Sequence, residues 1–331
     1  MVLGIAMNKY LRWGIRLIGP TLLLIFLWRS DFTRLLASFG SISPWPVLLS
    51  LALMPVFIGI KAWRWNLLMH ELGMRAAPLG YSMALYTIGL YLGGLTPGQS
   101  GDFIKAWYLK ERGEQLTPAL FSIVLDRLFD FLIMALLALL ALVEFLDLLP
   151  QIAQIATIVF AALVFTLTPL LMARRPREWL IARALPLLPA RIRNVIARWG
   201  TQLGALSLRP ALLGKLLLAS VGSAASTIAR IYLLFVAMSL ANVPPLAIVS
   251  STALIAILQA LPISFAGIGV RDAILVLVLG RYGYSTEQAL TLSALYLLIN
   301  IEHVVVGFLV SLRYPLGTAP PADARAIDVS G

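Results

Sequence analysis

Charge is what this sequence has least of. Asp, Glu, Lys and Arg make up 12% of its 331 residues, where a soluble domain carries about 25%. So few charged groups cannot cover a water-soluble globule of this size. With 60% hydrophobic residues and a mean hydropathy of +0.91, the solvent around most of the chain is lipid. Cysteine is absent, which excludes disulfides, thiolate metal sites and cysteine nucleophiles. No polar stretch is long enough to fold as a separate soluble domain, and no alternating apolar-out, polar-in pattern suggests a barrel. At about 20 apolar residues per crossing, an all-α polytopic membrane protein is expected.

The charge that is present is placed unevenly. Nine of the basic residues (Arg174, Arg175, Arg177, Arg183, Arg191, Arg193, Arg198, Arg209 and Lys215) fall between Met172 and Lys215, against one acid, Glu178. Short basic loops stay on the cytoplasmic side, so this stretch anchors the topology. Leu, Ile and Trp between the arginines suggest an amphipathic helix on anionic headgroups, with a bare topology signal as the alternative. At the N-terminus, Lys9, Arg12 and Arg16 precede an apolar run over 17–28. Arg29-Ser30-Asp31 follows it in place of a small-x-small cleavage site, so a retained first helix is expected.

From that anchor the spans alternate. Residues 152–171 enter the cytoplasm, 118–143 leave it, 17–28 leave it and 47–60 return, which puts Lys61, Arg64 and Arg75 on the cytoplasmic side and Glu144 and Asp147 outside. The apolar segment 81–95 then has two cytoplasmic flanks, so a single crossing does not fit. A re-entrant hairpin turning at Gly93–Gly101 does, because broken backbone is tolerated at membrane depth where it is buried in protein or lines a wet cavity. The second half repeats the problem upside down: 211–240 leaves, 289–312 returns, and 246–261 and 270–279 flank a turn over 261–269. Both chain ends come out cytoplasmic, as in a multi-pass protein of an inner membrane.

An ungapped shift of 170 residues pairs Asp102 with Asp272, Ile104 with Ile274 and Gly113 with Gly283. Span, broken hairpin, span, repeated with inverted topology, is a transporter architecture with a site at the repeat interface. The organisation expected is about six full spans and two re-entrant hairpins in one integral membrane domain. Its parts are a first span in 1–46, a first repeat over 47–143 with its hairpin at 80–110, and a connecting span and basic loop over 144–210. A second repeat over 211–313 follows, with its hairpin at 246–280, then a flexible tail over 314–331.

Three blocks carry a resemblance. Gly94-Leu95-Thr96-Pro97-Gly98-Gln99-Ser100-Gly101-Asp102-Phe103-Ile104-Lys105-Ala106, then Asp126-Arg127-Leu128-Phe129-Asp130, then Leu261-Pro262-Ile263-Ser264-Phe265-Ala266-Gly267-Ile268-Gly269-Val270-Arg271-Asp272-Ala273 resemble, in order, signatures of the lysylphosphatidylglycerol synthase transmembrane (flippase) family. The chain differs at Gln99 and Asp102, where that family often has Arg and Glu. The resemblance implies a membrane domain that moves a phospholipid or isoprenoid-type lipid between leaflets. Without a soluble aminoacyl-transferase domain in this sequence, it does not imply lipid synthesis.

Ionisable groups inside spans are costly and usually face an interior cavity. Asp126 and Asp130 are four apart and share a helix face; with Arg127 they form either a headgroup wall or an ion-pair network with Arg64 or Arg230. Asp102 and Asp272 open the helices after the two turns, where capping alone accounts for an acid. Lys105 and Arg271 oppose the helix dipole there, and a cation beside broken backbone makes an anion site. A lipid phosphate is the expected ligand, with Arg271 foremost for its bidentate guanidinium. Hinges are expected at Pro97, Gly98, Gly101, Pro262, Gly267 and Gly269. Glu302 and His303, near the middle of the last span, are candidates for proton coupling, with a satisfied buried histidine as the plainer reading. Trp13, Trp28, Trp45, Trp63, Trp65, Trp107 and Tyr108 read as headgroup-level anchors.

No cofactor, metal or nucleic acid is implied. The partners expected are membrane lipids with an anionic headgroup, with a homo-oligomer or a lipid-biosynthesis partner left open. Two enzyme readings compete: a lipid-modifying enzyme using Asp126, Asp130, Glu302 and His303, and an intramembrane serine protease using Ser100 of Gly98-Gln99-Ser100-Gly101 with His303.

Overall fold

The computed structural model describes residues 32–75, 77–184, 186, 210–260 and 269–316. The first span expected over 17–28, the arginines Arg191 to Arg209, the second turn with Pro262 and Gly267, and the tail from Gly317 lie outside the described residues. Within them the chain is helical: α1 (Phe32–Gly40), α2 (Pro44–Ala52), α3 (Met54–Glu71), α4 (Leu79–Leu95), a 3-10 helix (Pro97–Phe103), α5 (Ile104–Glu111), α6 (Leu116–Phe145), α7 (Gln151–Met172), α8 (Arg174–Ala184), α9 (Pro210–Ala237), α10 (Pro245–Ala260), α11 (Val270–Arg281) and α12 (Thr286–Arg313). Among the described residues, five stretches are long and apolar enough to cross a membrane: Pro44–Glu71, Leu116–Phe145, Gln151–Met172, Ala211–Ala237 and Thr286–Arg313.

Local chemistry explains most boundaries. Pro55 has no amide hydrogen and cannot continue the helix hydrogen bonds of α2, so α2 and α3 join at a break at Leu53. Ser285 and Gln288 cap α12 reciprocally, the Gln288 amide donating to Ser285 Oγ at 3.3 Å and the Ser285 amide to Gln288 Oε1 at 3.0 Å. Asp272 takes the Gly269 amide at 2.6 Å at the start of α11. The first hairpin's turn is ordered as a 3-10 helix, with Thr96 Oγ1 accepting the Gly101 amide at 2.6 Å.

One expected boundary moves. The span read as ending at residue 60 continues to Glu71, so Lys61 and Arg64 lie inside a helix instead of on a cytoplasmic flank. The helix passes through them because acids on α6 neutralise both charges. Two aromatic anchors move inward as well. Trp65 is fully buried and donates Nε1 to Ser122 Oγ at 3.0 Å. Tyr108 is buried and donates to the Tyr314 carbonyl at 2.7 Å. Trp45, Trp63 and Trp107 are exposed; Trp13 and Trp28 are outside the described residues.

Hydrogen bonds between loops sort the helix ends into two poles. At one, the Arg75 amide donates to Glu114 and Tyr108 reaches Tyr314. At the other, the Ser43 amide donates to the Ala237 carbonyl, Arg281 pairs with Asp147 at 2.6 Å, and the Asn242 amide donates to Tyr284. Helix α6, about 45 Å long at 1.5 Å per residue, runs from the first pole to the second. Segments 78–112 begin and end at the first pole, and 242–284 begin and end at the second.

The two halves also repeat their turns. Gly113 and Gly283 both have positive φ (86° and 81°), which glycine adopts without strain. The Glu114 amide reaches back to the Leu109 carbonyl as the Tyr284 amide does to Leu279, each at 3.1 Å. Likewise the Met74 amide returns to Met69 after α3 and the Leu240 amide to Phe235 after α9. One apolar core joins α3, α4, α5 and the start of α6 around Trp65, Leu85, Ile88, Ala106 and Ile123. The other joins α9 to α12 and the end of α6 around Phe145, Leu234, Leu254, Leu275 and Leu292. Two extensive pairings of long helices cross between halves: α4 on α12, and α10 on α6. Outward, α7 exposes Ile152, Ile155, Ile158, Val159 and Leu163, and α12 exposes Val305, Leu309 and Leu312, an apolar coat that only lipid satisfies.

The α4–α12 seam turns on Gly307. A Cβ there would stand 2.4 Å from Tyr91 Cβ and 2.5 Å from the Thr87 carbonyl oxygen. Gly307→Leu is expected to destabilise the protein by at least about 1–3 kcal/mol, the usual cost of overpacking, as an earlier thermal transition in detergent. Gly280→Ala, in α11 with nothing within 4 Å, should stabilise by up to about 1 kcal/mol through helix propensity. Equal transitions for Gly307→Leu and wild type would separate α4 from α12 at this point.

Candidate functional site

The site is assembled around cations that apolar helices carry at helical spacing. Lys61 and Arg64, three apart on α3, face Asp126 and Asp130, four apart on α6, so one helix face meets the other charge for charge. Arg64 is fully buried. Its Nε donates to Asp126 Oδ1 at 2.8 Å, and its Nη1 to Asp130 Oδ1 at 2.8 Å and to Ser220 Oγ of α9 at 2.9 Å. Its Nη2 donates to the Asp126 carbonyl at 3.0 Å. Lys61 Nζ stands 2.6 Å from Asp130 Oδ2, and Tyr86 of α4 donates to Asp126 Oδ2 at 2.6 Å.

The 3-10 turn supplies a second group. Arg127 points the other way on α6, pairing with Asp102 Oδ2 at 3.0 Å and donating to the Gln99 side-chain oxygen. Lys105 Nζ lies 2.8 Å from Asp102 Oδ1, without the alignment of a hydrogen bond, and 4.0 Å above the Tyr86 ring. Two glycines make the room. A Cβ on Gly89 would fall 2.2 Å from Asp102 Oδ1, and one on Gly101 2.2 Å from the Leu92 carbonyl oxygen. Gly101 is thus a position of close backbone contact.

The third group joins α9 to α12. Arg230 Nε donates to the Ser50 carbonyl at 2.8 Å while Ser50 Oγ donates to the Arg230 carbonyl at 2.9 Å. Its Nη2 pairs with Glu302, and its Nη1 meets His303 Nε2 at 3.0 Å. The His303 ring stacks on Phe57, with centroids 5.7 Å apart and planes inclined by 16°.

Between these groups lies a cavity of about 250 Å³. Its polar wall takes Lys61 from α3, Gln99 from the 3-10 turn, Arg127 and Asp130 from α6, Arg230 from α9, and Asn300 and His303 from α12. Phe131, Met134, Ile231, Ile255 and Ile299 form the apolar remainder. Both halves of the chain contribute. The volume falls below the roughly 300–1,000 Å³ of a drug-sized site.

The expected site residues divide around this cavity. Arg127, Asp130, Arg230 and His303 line it; Asp126 and Arg64 stand behind it as the buried clamp, and Asp102 and Glu302 behind their arginines. Lys105 is outside it, held by Asp102. Arg271 and Asp272 are outside it too: Arg271 Nε donates to Ser293 Oγ at 2.6 Å, its Nη2 lies 3.8 Å from Asp272, and its Nη1 is buried without a partner among the described residues. Gly269 (φ 84°) precedes α11, and the 3-10 helix starts at Pro97 and Gly98. Ser100 is exposed, and no hydrogen bond joins it to His303 among the described residues; the Nε2 of that histidine is taken by Arg230. Sequence reasoning missed Lys61 and Tyr86. The signal for Lys61 was its spacing of three from Arg64, complementary to Asp126 and Asp130.

Removing one partner of a buried ion pair costs about 3–5 kcal/mol because the other charge is stranded. Arg64→Met, which strands Asp126, is expected at that level, and Lys61→Met below it, since Asp130 keeps Arg64. Thermal unfolding in detergent checks the order. Adding Asp126→Asn to Arg64→Met should recover part of the loss, and no recovery would sink the pairing as its cause.

A family model described as the lysylphosphatidylglycerol synthase TM region matches residues 13–307. No curated protein matches the chain. The match spans the first expected span, both broken helix pairs and every residue of the cavity wall, and the chain belongs to the lysylphosphatidylglycerol synthase TM region family.

Proposed function

We propose that this multi-pass membrane protein is a lipid translocase that carries a phospholipid or isoprenoid-type lipid between the leaflets of an inner membrane. The observation that carries the reading is the cavity between the two halves, lined by Lys61, Arg127 and Arg230 together with aliphatic side chains. Arginine binds a phosphate bidentately, and the headgroup is the part of a lipid that hydrocarbon rejects. A site that holds the headgroup while the tails stay in lipid removes that barrier.

The architecture supports it. In this proposal 78–112 and 242–284 are re-entrant hairpins entering from opposite faces, and the halves form an inverted repeat. The loop contacts at the two poles support that arrangement, as do the matched turns at Gly113 and Gly283 and the crossed pairings of α4 with α12 and α10 with α6. Rocking of one half against the other would open the cavity to each leaflet in turn. Both chain ends are cytoplasmic in this orientation, with Arg174, Arg175, Arg177 and Arg183 on the cytoplasmic face.

The reading is tested by leaflet exchange of labelled phosphatidylglycerol, a polyprenyl phosphate and a hopanoid in proteoliposomes. Wild type should exchange one class, and Lys61→Gln and Arg230→Gln should slow it at least tenfold, about 1.4 kcal/mol of barrier. Exchange lost in Arg271→Ala and untouched in Lys61→Gln would move the headgroup to the second hairpin. Folded wild type that exchanges none of the three overturns the proposal.

A further inference from the structure

The contact between Arg230 and His303 fixes a protonation state. A guanidinium has five donors and no acceptor, so the His303 Nε2 that meets Arg230 Nη1 at 3.0 Å must offer its lone pair. With Nε2 accepting from Arg230, His303 is a neutral imidazole with its hydrogen on Nδ1. Arg230 spends three of its five donors, on the Ser50 carbonyl, Glu302 and His303. An anion that draws Nη1 toward itself takes it from His303.

We infer that His303 is the proton site of a coupled cycle, loading a proton when a phosphate-bearing headgroup enters the cavity and releasing it when the headgroup leaves. This rests on the translocase reading. When the phosphate takes Arg230 Nη1, His303 Nε2 loses its donor and faces a new negative charge. A proton from water then occupies Nε2, which turns from acceptor to donor and hydrogen-bonds a phosphate oxygen. No bond to carbon or phosphorus is made or broken. For a phosphodiester, the one negative charge that enters is matched by the one positive charge gained. The loaded and empty cavities carry the same charge, so the headgroup crosses without moving net charge through the membrane.

The surroundings favour this assignment. On α3, Lys61 lines the same cavity and is already held by Asp130, and Arg64 is held by Asp126 and Asp130. On α9 the facing charge is Arg230. On α12 itself Glu302 is committed to Arg230. Helix α11 brings the Arg271–Asp272 pair, ten residues away along α12 at Ser293. Helices α2 and α4 bring no charged residue, though Tyr86 of α4 lines the cavity, and α1 carries only Arg34. His303 is the one group on the cavity wall whose ordinary titration lies near neutral pH.

The test is calorimetric. Dihexanoylphosphatidylglycerol is titrated into the detergent-solubilised full chain in two buffers of different ionisation enthalpy, and the difference counts protons taken up per ligand bound. Wild type should take up close to one near neutral pH, and its affinity should fall by up to tenfold per unit as pH rises. His303→Gln should bind with no proton count and a flat pH profile. Glu302→Gln should still bind but with a smaller count, because the added positive charge opposes a second one on His303. Binding by wild type without proton uptake overturns the inference and leaves the translocase reading standing. An unchanged count in His303→Gln with the count lost in Glu302→Gln puts the proton on Glu302 and overturns it as well. No binding at all removes both readings. Glycerophosphoglycerol, the same headgroup without tails, binding as tightly as the lipid would overturn the lipid reading and keep the proton link.

Discussion

Arg64 sits at the centre of a region with almost no water, and the rest of the molecule is arranged to make that tolerable. Moving a guanidinium from water into a medium of low dielectric costs several kcal/mol even after relaxation. Three helices answer: α6 with two carboxylates, α9 with Ser220, and α4 indirectly, through the Tyr86 hydroxyl on the same carboxylate. These contacts bind α3, α4, α6 and α9 to one another where dispersion forces alone would leave apolar helices free to slide in lipid. The cavity lies beside this clamp, where polar groups from both halves are gathered.

A similar constraint shapes the first broken helix pair: interrupted, buried backbone needs partners for its amides, and Thr96 Oγ1 accepts that of Gly101. The interruption then brings Gln99 and Asp102 to Arg127 on α6. Each half packs the first helix of its broken pair against the last long helix of the other half, so the two halves interlock beside the cavity. A cavity lined from both halves is a consequence of that interlock more than of any single motif.

Much of this was legible in the sequence. Helix existence and bounds followed from apolar runs punctuated by Pro and Gly, and α6 and α12 lie within two or three residues of their expected limits. Asp126 and Asp130 declared a shared face, and Arg64 was one of their two expected partners. What stayed hidden were distances through space. Lys61 read as the basic end of a span because a charge in an apolar run normally marks a membrane surface; only the acids arriving from α6 allow the helix to run on. Arg230 read as a candidate partner for those acids, yet its partners are Glu302 and His303, a pairing across seventy-two residues that no local spacing encodes. Trp65 read as an interfacial anchor because tryptophan usually is one, and it is instead the roof over Lys105.

Every cation on the cavity wall already has a carboxylate: Lys61 has Asp130, Arg127 has Asp102 and Arg230 has Glu302. In the proposed translocase an entering phosphate would compete with an internal counter-ion and gain only the difference between the two. The well it fell into would be shallow, and its dwell time correspondingly short. A receptor built for capture would leave its arginines bare; a conduit that must let go as readily as it takes hold keeps them answered in advance.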